Sequence, residues 1–413
     1  MGELRAPPVT ATGADGTGAD GAGAATASTA WPLHVLMPGD VDDPGSPSGG
    51  NAYDRRMCRE LAASGRPVSE AAVPGSWPRP DAEAGAELAR ELAELPNGAA
   101  VLIDGLLACG VPEIVVPQSG RLRLAVLVHL PLADETGLAA DVAADLESRE
   151  GETLRAAGAV IVTSDWAARE VTERHGLDRA RVHTVCPGTD RAPLAHGTDG
   201  ASRLLCVAAV TPRKGQTMLA EALAKIDDLS FSCEFVGSLD RDPHYAGQLR
   251  RAVDQYGLSD RVRLSGALTG RPLAEAYDAA DLFVLTSHAE TYGMVFTEAL
   301  SRGIPVLATA VGAVPDTVGR APGGSIPGIL VPPGDIDALA DALRRWLSEP
   351  TIRRLVTTSA RRRRDGLQGW PEASRRLDEV LEGLHHEQTE LPDSPDSSES
   401  PESHGQHEKR RSP

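Results

Sequence analysis

The sequence predicts an α/β protein in which two doubly wound domains face each other across a cleft, with disordered tails at both ends. Three observations support this fold class. The chain has 413 residues, which is enough for two domains of ordinary size. Short, wholly apolar runs alternate with helical patterns, as expected for parallel sheets that helices cover on both faces. The alternation occurs twice, and a polar, Gly-rich segment at 195–202 separates the two series.

The first series predicts an N-terminal Rossmann-like domain at 31–195. Its apolar runs are predicted strands at 34–38, 99–105, 122–130, 159–164 and 182–188. Helical patterns lie between them near 51–63, 82–94, 138–157 and 166–176. Strands that are joined in this way by helices lie parallel in one sheet.

The second series predicts another Rossmann-like domain at 196–350, followed by C-terminal helices at 351–384. Its predicted strands are at 203–210, 233–237, 262–266, 282–287, 305–310 and 328–334. Its helical patterns lie near 216–226, 243–257, 272–280, 292–302 and 335–348. In such sheets ligands bind at the carboxyl ends of the strands, so a binding cleft is expected between the two domains.

The charge of the chain excludes one class of partner. The formal charge is −18, from 41 Lys and Arg against 59 Asp and Glu. The tails at 1–30 and 385–413, which are predicted to be disordered, contribute −2 and −4, so 31–384 carries −12. A body that acidic argues against nucleic-acid binding, which depends on a basic face that neutralises phosphates.

Cysteine usage and hydropathy indicate a cytoplasmic protein. The five cysteines are scattered and form no C-x-x-C pair, which fits a reduced compartment and gives no zinc or redox signature. No apolar run approaches the roughly 18 residues of a membrane span. The helical stretch at 51–66 has four arginines, which leaves peripheral contact with a membrane open.

The most informative segment is 281–318, where a strand, a short loop and a helix follow one another. Glu290 lies in the loop, and Glu298 lies two turns along the helix with seven residues between them. Gly293 stands where the helix begins, and the free amides of a helix start attract an anion. Carboxylates beside a bound diphosphate would accept hydrogen bonds from sugar hydroxyls. From spacing alone, Glu298 could equally be a solvated helix residue and Glu290 a neighbour of the helix cap.

A second strand, turn and helix lie at 207–223, with Arg213 and Lys214 in the turn. Either side chain could donate a charge-assisted hydrogen bond to a phosphate, a contact worth about 1.5–3 kcal/mol. From these residues alone, a solvated turn lysine is an equally good interpretation.

Together these segments resemble the retaining glycosyltransferases of family 4, the glycosyltransferase group 1, which have the GT-B fold. The resemblance is carried by LAEAYDAADLFVLTSHAETYG, EALSRGIPVLATAVGAVPDTV and GILVPPGDIDALADAL. It covers essentially all of 203–350 and is looser at 48–65 and 125–137. It implies a metal-independent hexosyltransferase without a cofactor. The donor would be a UDP- or GDP-linked sugar, and the acceptor would be a small molecule, a glycan or a lipid-linked molecule. A hydroxyl of the acceptor would attack the anomeric carbon of the donor sugar, with retention of its configuration.

The resemblance also implies roles for individual residues. Lys214, Glu290 and His129 would be catalytic, with His129 at the end of a strand near the reacting carbon of the donor sugar. Glu135 is a weaker candidate for contact with the acceptor. The last helix, which begins near Trp370, would cross back to the first domain. The donor-binding residues that the family pattern implies are Gly49, Gly50, Arg213, Lys214, Thr291, Tyr292, Gly293, Met294 and Glu298.

One departure from the family leaves other interpretations open. The family usually has Arg five residues before the conserved Lys, and here that position is Ala209. Arg213 could replace the missing guanidinium or point to solvent. Without compensation the protein would bind donors weakly or be a slow enzyme. Two alternatives are a non-catalytic sugar-nucleotide-binding or partner protein and a GT-B-fold nucleotide-sugar isomerase. The D-x-D strings at 40–42 and 240–242 are not expected to bind metal, because helix amides and Lys214 neutralise the leaving group.

Overall fold

The computed structural model describes residues 31–45 and 47–387. It contains two six-stranded sheets in which every recorded strand pair is parallel. One sheet lies within the predicted N-terminal domain and the other within the predicted C-terminal domain. The predicted tail at 1–30 and residues 388–413 of the predicted tail at 385–413 lie outside the described residues, whereas 385–387 form the end of the last helix and correct that prediction.

The N-terminal sheet has the strand order β2-β1-β3-β4-β5-β6. Its strands are β1 Leu33–Pro38, β2 Val68–Val73, β3 Ala100–Asp104, β4 Arg123–Val128, β5 Ala159–Val162 and β6 Val182–Thr184. Its helices are α1 Gly49–Ala63, α2 Ala82–Glu94, α3 Gly105–Gly110, α4 Pro112–Val115, α5 Ala140–Ala156 and α6 Asp165–His175.

The C-terminal sheet has the strand order β12-β11-β10-β7-β8-β9. Its strands are β7 Arg203–Val207, β8 Ser232–Val236, β9 Val262–Gly266, β10 Leu282–Leu285, β11 Val306–Thr309 and β12 Gly328–Val331. The helices are α7 Gln216–Ala224, α8 Pro243–Gln255, α9 Gly270–Asp278, α10 Met294–Ser301, α11 Val314–Val318, α12 Ile336–Ser348, α13 Pro350–Arg363 and α14 Trp370–Glu387.

The apolar strands are explained by burial on both faces of the sheet. Along β4, Leu124 and Val126 belong to the buried cluster that packs against α2, α3, α5 and α6. Ala125 and Leu127 point the other way, into the cluster that packs against α1 and α14. A strand with both faces covered needs apolar residues at successive positions, and this is the pattern from which the parallel sheets were predicted.

The final helix α14 crosses back onto the N-terminal domain. Trp370, Leu377 and Leu381 are buried in the same cluster as β1 and α1. The guanidinium of Arg66 donates hydrogen bonds to the carboxylates of Asp378 and Glu382. This helix therefore ties the C-terminal end of the chain to the domain that comes first in sequence.

The edge strand β2 was missed by the sequence prediction. Its sequence, VSEAAV, has polar residues and alanines at its centre, and only Val73 is buried. Because β2 pairs only with β1, it lacks the double-faced burial that gives the central strands their apolar signal.

The arginines of the helical stretch at 51–66 are largely occupied by carboxylates. Arg55 pairs with Asp42 and Glu70, and Arg56 pairs with Glu60 and Asp190. This surface is therefore less positive than its arginine content suggests. In the part of the chain that the structure describes, no helix combines the length and apolarity needed to cross a membrane.

Candidate active site between the two domains

The carboxyl ends of β4 and β10 meet where the two domains touch. The hydroxyl of Thr291, after β10, donates a hydrogen bond to the carbonyl of His129, which directly follows β4. The hydroxyl of Tyr292 donates to the carbonyl of Pro187 at 3.4 Å. Arg213 Nε lies 3.4 Å from Glu135 Oε1 across the same gap. Residues predicted from both halves of the chain are thus brought to one cleft.

Lys214 and Glu290 form a buried ion pair on the C-terminal side of this cleft. Lys214 Nζ lies 2.5 Å from Glu290 Oε1, and Ser287 Oγ donates to the same oxygen at 2.8 Å. Burial alone would raise the pKa of Glu290, but Lys214 and Arg213 reverse this and lower it. Burial lowers the pKa of Lys214, and the carboxylate of Glu290 opposes that effect. The carboxylate of Glu290 thus holds the ammonium group of Lys214 in the cleft.

Hydrogen bonds between two loops bring Lys214 and Glu290 next to each other. The amide of His288 donates to the carbonyl of Arg213 at 2.7 Å, and Thr286 Oγ1 donates to the carbonyl of Gly215 at 2.8 Å. The loop after β10 is therefore fastened along the loop after β7. Because these two strands are neighbours in the sheet, Glu290 meets Lys214 although 76 residues separate them.

The first turns of α1 and α10 lie close to each other at the cleft. Gly293 precedes α10 with φ +84°, and a Cβ there would lie 2.6 Å from the ring of Phe296, so this position requires glycine. A Cβ on Gly49, the first residue of α1, would lie 3.9 Å from Met294 Sδ in the first turn of α10. Ser48 Oγ already accepts from the amide of Asn51 in α1, and the other first amides of the two helices, together with Lys214, form a suitable environment for a diphosphate.

His129 is held by two carboxyl groups that were not predicted from the sequence. His129 Nε2 lies 2.7 Å from Asp54 Oδ1 and 3.5 Å from Asp104 Oδ2. Burial opposes the charged imidazole, but the two carboxyls overcome it and raise the pKa of His129 to about 9. Burial, reinforced by Asp54, raises the pKa of Asp104 to about 8. His129 and Asp104 therefore both keep their protons at neutral pH.

Comparison with known proteins identifies the family. The family model described as glycosyl transferases group 1 matches residues 195–363, which contain Lys214, Glu290 and the start of α10. The chain belongs to the group 1 glycosyltransferases. The resemblance predicted from the sequence is thus confirmed.

Curated relatives of this group 1 glycosyltransferase carry one recurring name. The chain is 30% identical over 289 residues to D-inositol 3-phosphate glycosyltransferase 1 of Catenulispora acidiphila, a match that covers 65% of this chain. It is 32% identical over 247 residues, or 54% of this chain, to the D-inositol 3-phosphate glycosyltransferase of Kineococcus radiotolerans. The chain spans 66% of the length of the first relative and 56% of the second.

Solved structures confirm the GT-B fold. Sucrose-phosphate synthase from Thermosynechococcus elongatus is similar with a TM-score of 0.69 and 23% identity, over 86% of this chain and 99% of that chain. Anabaena HepE in complex with UDP-glucose has a TM-score of 0.66 and 17% identity, over 85% of this chain and 99% of that chain. Identities this low are evidence for the architecture alone.

The group of His129, Asp54 and Asp104 is also the one set of potential metal ligands found among the described residues. Two ligands of one ion at bond lengths of about 2.0–2.1 Å would lie about 2.9–3.4 Å apart in octahedral or tetrahedral geometry. His129 Nε2 and Asp54 Oδ1 are closer than that, at 2.7 Å. We therefore interpret this contact in the glycosyltransferase as a hydrogen bond.

The two D-x-D strings have structural partners. Asp42 Oδ1 accepts a hydrogen bond from Arg55 Nε at 2.9 Å. Asp242 caps α8 by accepting from the amide of Tyr245 at 2.8 Å. The second aspartate of each string thus has a hydrogen-bond partner in the protein, and these contacts do not require a metal ion.

Glu298 lies on α10 but has a partner within its own domain. The hydroxyl of Tyr277 donates to Glu298 Oε2 at 2.8 Å, and burial raises the pKa of this carboxyl. The guanidinium carbon of Arg302 lies 4.5 Å from the centre of the Tyr277 ring. A contact from Glu298 to a sugar hydroxyl of the donor therefore stays a prediction.

Gly50 lies directly against the ring of His129, so a side chain added at this position would press on the imidazole. A Cβ at residue 50 would lie 3.0 Å from His129 Cδ2 and 3.2 Å from Cγ, closer than ordinary contacts. We expect Gly50→Ala to displace the imidazole and lower nucleotide-release turnover at least ~5-fold. The melting temperature should fall only slightly, because the preference for Ala over Gly within a helix partly offsets the weakened contact of His129 with Asp54.

Gly85→Ala is the matched control for this prediction. It adds the same methyl group to α2, where the nearest atom would be 3.5 Å away, at ordinary contact distance. Its turnover should equal that of the wild type. Equal turnover in Gly50→Ala would show that the glycine does not position His129.

Proposed function

We propose that the protein transfers a hexosyl unit from a UDP- or GDP-linked sugar to an acceptor hydroxyl, with retention and without a metal ion. The observation that carries this proposal is the convergence of one buried cation and two helix N-termini on a single cleft. The names of the curated relatives support it, as does the complex of HepE with UDP-glucose.

The proposed reaction is a single substitution at the anomeric carbon. The acceptor oxygen bonds to this carbon while the bond from the carbon to the diphosphate oxygen breaks. That electron pair remains on the diphosphate, whose oxygen takes up the hydroxyl proton. Lys214 and the helix starts of α1 and α10 bind the oxygen more strongly as its charge grows, which lowers the barrier.

The other site residues receive roles on the same basis. Glu290, fixed by Lys214 and Ser287, has a second carboxylate oxygen that could accept from a donor-sugar hydroxyl. His129 would donate a hydrogen bond to the sugar near the reacting carbon. No metal is required in this scheme because protein cations and helix amides neutralise the leaving group. The five free cysteines support a cytoplasmic location for this activity.

A donor screen tests the proposed function directly. The melting temperature of the full chain is measured with UDP- and GDP-linked hexoses, and a donor at 100 times its Kd should raise it by about 5–10 °C. Nucleotide release is then followed with and without EDTA, and the anomeric configuration of the product is read by NMR. Binding of no donor, loss of turnover in EDTA, or an inverted product would each contradict a part of the proposal.

We propose that Arg213 replaces the arginine that the family usually has at the position of Ala209. Its side chain is 18% exposed, and its Nε makes no hydrogen bond within the described part of the chain. A charge-assisted contact to phosphate is worth about 1.5–3 kcal/mol, so Arg213→Ala should raise the donor KM at least ~10-fold. Arg271→Ala, which removes an exposed arginine from α9, is the control and should leave KM unchanged. Equal KM values in both variants would show that Arg213 does not compensate.

A further inference from the structure

Helix α13 and the residue that follows it are strongly basic. Positions 350–364 contain six arginines and no acidic residue, within a body at 31–384 that carries −12. In the described part of the chain, none of the six forms an ion pair with a carboxylate, and the preceding acid, Glu349, faces Arg345. Three of the six donate to backbone carbonyls, which leaves their charge uncompensated: Arg353, Arg363 and Arg364.

The outward face of α13 presents the other three arginines beside a leucine. Arg354, Arg361 and Arg362 are exposed, and the side chain between the first two, Leu355, is 62% exposed. Their spacing of one, seven and eight residues places all four on one face of the helix. The opposite face is buried against the domain, at Val356, Ser359 and Ala360. The helix is thus fixed in place with its basic side toward solvent.

Two more exposed apolar side chains lie beside this face. Leu194 is 40% exposed. A Cβ on Gly303 would lie 2.7 Å from Leu194 Cδ2 and 3.0 Å from Arg361 Cγ, so Leu194 and Arg361 are neighbours. Ile326 is 37% exposed, and it follows Ser325, whose hydroxyl accepts a hydrogen bond from α13 at 2.7 Å.

Exposed apolar side chains are therefore concentrated at one basic surface. Four large hydrophobic side chains are exposed in the described part of the chain, and three of them lie on or beside α13. The fourth, Tyr256, follows α8. We define the basic face as Arg354, Leu355, Arg361 and Arg362, with Leu194 and Ile326 beside it.

We propose that the basic face is a docking surface for a membrane that is rich in anionic lipids. Guanidinium groups attract anionic headgroups, and exposed leucine and isoleucine side chains are stabilised where headgroups meet acyl chains. An acidic peptide would pair with the arginines but would leave the apolar side chains in water. The combination of unpaired arginines with exposed apolar side chains therefore favours a lipid surface.

The basic face differs from the helical stretch at 51–66, whose arginines also suggested membrane contact. There Arg55 and Arg56 each face two carboxylates, whereas the arginines of the basic face have none. The acidic body of the protein does not prevent docking, because the repulsion between exposed charges is screened over about 8 Å at physiological salt. Arginines that touch the headgroups act over a shorter distance than the acids behind them.

Sedimentation of the full chain with lipid vesicles tests this inference. One set of vesicles is phosphatidylcholine alone, and the other is phosphatidylcholine and phosphatidylglycerol in equal parts. We expect binding to the anionic vesicles only, with an affinity that falls as salt is added. The triple variant Arg354→Gln, Arg361→Gln and Arg362→Gln should weaken this binding at least ~30-fold, since each arginine near the surface contributes about 5-fold.

A matched triple variant controls for the loss of charge. Arg250→Gln, Arg251→Gln and Arg271→Gln remove three exposed arginines from α8 and α9. These helices follow β8 and β9, at the other end of the C-terminal sheet from β12, against which α13 packs. Binding to anionic vesicles should be unchanged in this control. Both triple variants should melt like the wild type, because the replaced side chains are exposed.

The apolar contribution is tested separately. Leu355→Ala should weaken vesicle binding at least ~3-fold, because a smaller apolar side chain enters the lipid. Tyr256→Ala removes the exposed hydrophobic side chain that lies elsewhere and should leave binding unchanged.

Several outcomes would overturn the inference: no binding to anionic vesicles, equal binding to neutral vesicles, or unchanged binding in the triple variant of the basic face. Binding of a poly-glutamate peptide without binding of vesicles would assign this surface to an acidic protein segment instead. The inference does not rest on the proposed function, because vesicle binding is measured without a donor. Failure of the donor screen would leave it standing.

Discussion

Replacement of Lys214 by Met should lower nucleotide-release turnover at least ~10-fold, because it removes a cation that binds the leaving diphosphate most strongly in the transition state. Glu290→Gln should have an effect of similar size, because it removes the carboxylate that fixes Lys214 Nζ at 2.5 Å. Steady-state release of nucleotide diphosphate with saturating donor is the measurement. A fall in kcat, rather than a rise in KM alone, identifies a transition-state contact.

Stability must be separated from catalysis in these variants, because the ion pair is buried. Removing one partner of a buried pair leaves an uncompensated charge, which costs about 3–5 kcal/mol. Both single variants should therefore melt below the wild type. The double variant Lys214→Met with Glu290→Gln removes both charges and should regain much of the melting temperature without regaining turnover. Recovery of turnover together with stability would show that the pair is structural only.

Most of the fold could be predicted because its strands carry a strong signal. In β3 and β4, successive residues are buried against different helix layers, so the whole run must be apolar. The edge strand β2 carries no such signal, since most of its side chains are not buried and its only partner is β1. Apolar runs in the sequence indicate which strands are buried on both faces. An exposed strand such as β2 has no such run, so its sequence resembles that of a loop.

The site could be predicted where a residue belongs to a local motif and not where it depends on tertiary contact. Lys214 and Glu290 each lie in a strand, turn and helix pattern that is visible along the chain. Asp104 ends β3 and could have been found by the rule that ligands bind at strand ends. Asp54 lies on a helix with charged neighbours and resembles a solvated residue. Only the fold brings it to His129, 75 residues away.

The stability of the protein should fall as the pH rises from about 6 to about 9, because protons are held by His129 and Asp104. The pKa of His129 is about 9 in the folded protein against an ordinary value of 6.5, so its contribution is complete below pH 6.5 and is lost by pH 9. The pKa of Asp104 is about 8 against 3.8, so its contribution is lost between those values. In both cases the folded state binds more protons than the unfolded state, and the two effects have the same sign.

Substitutions in this group should flatten the profile to different extents. Asp104→Asn removes one of the two held protons, so the fall in melting temperature between about pH 6 and about pH 9 should be roughly halved. Asp54→Asn removes the main group that raises the pKa of His129, but burial still raises the pKa of Asp104, so the fall should shrink by more than about half and should not vanish. The titration of the His129 imidazole, followed by NMR and assigned with His129→Gln, should move from near pH 9 toward the ordinary range in Asp54→Asn. An unchanged His129 titration in that variant would show that Asp54 does not hold the proton. The contact at 2.7 Å would then serve only to orient the ring.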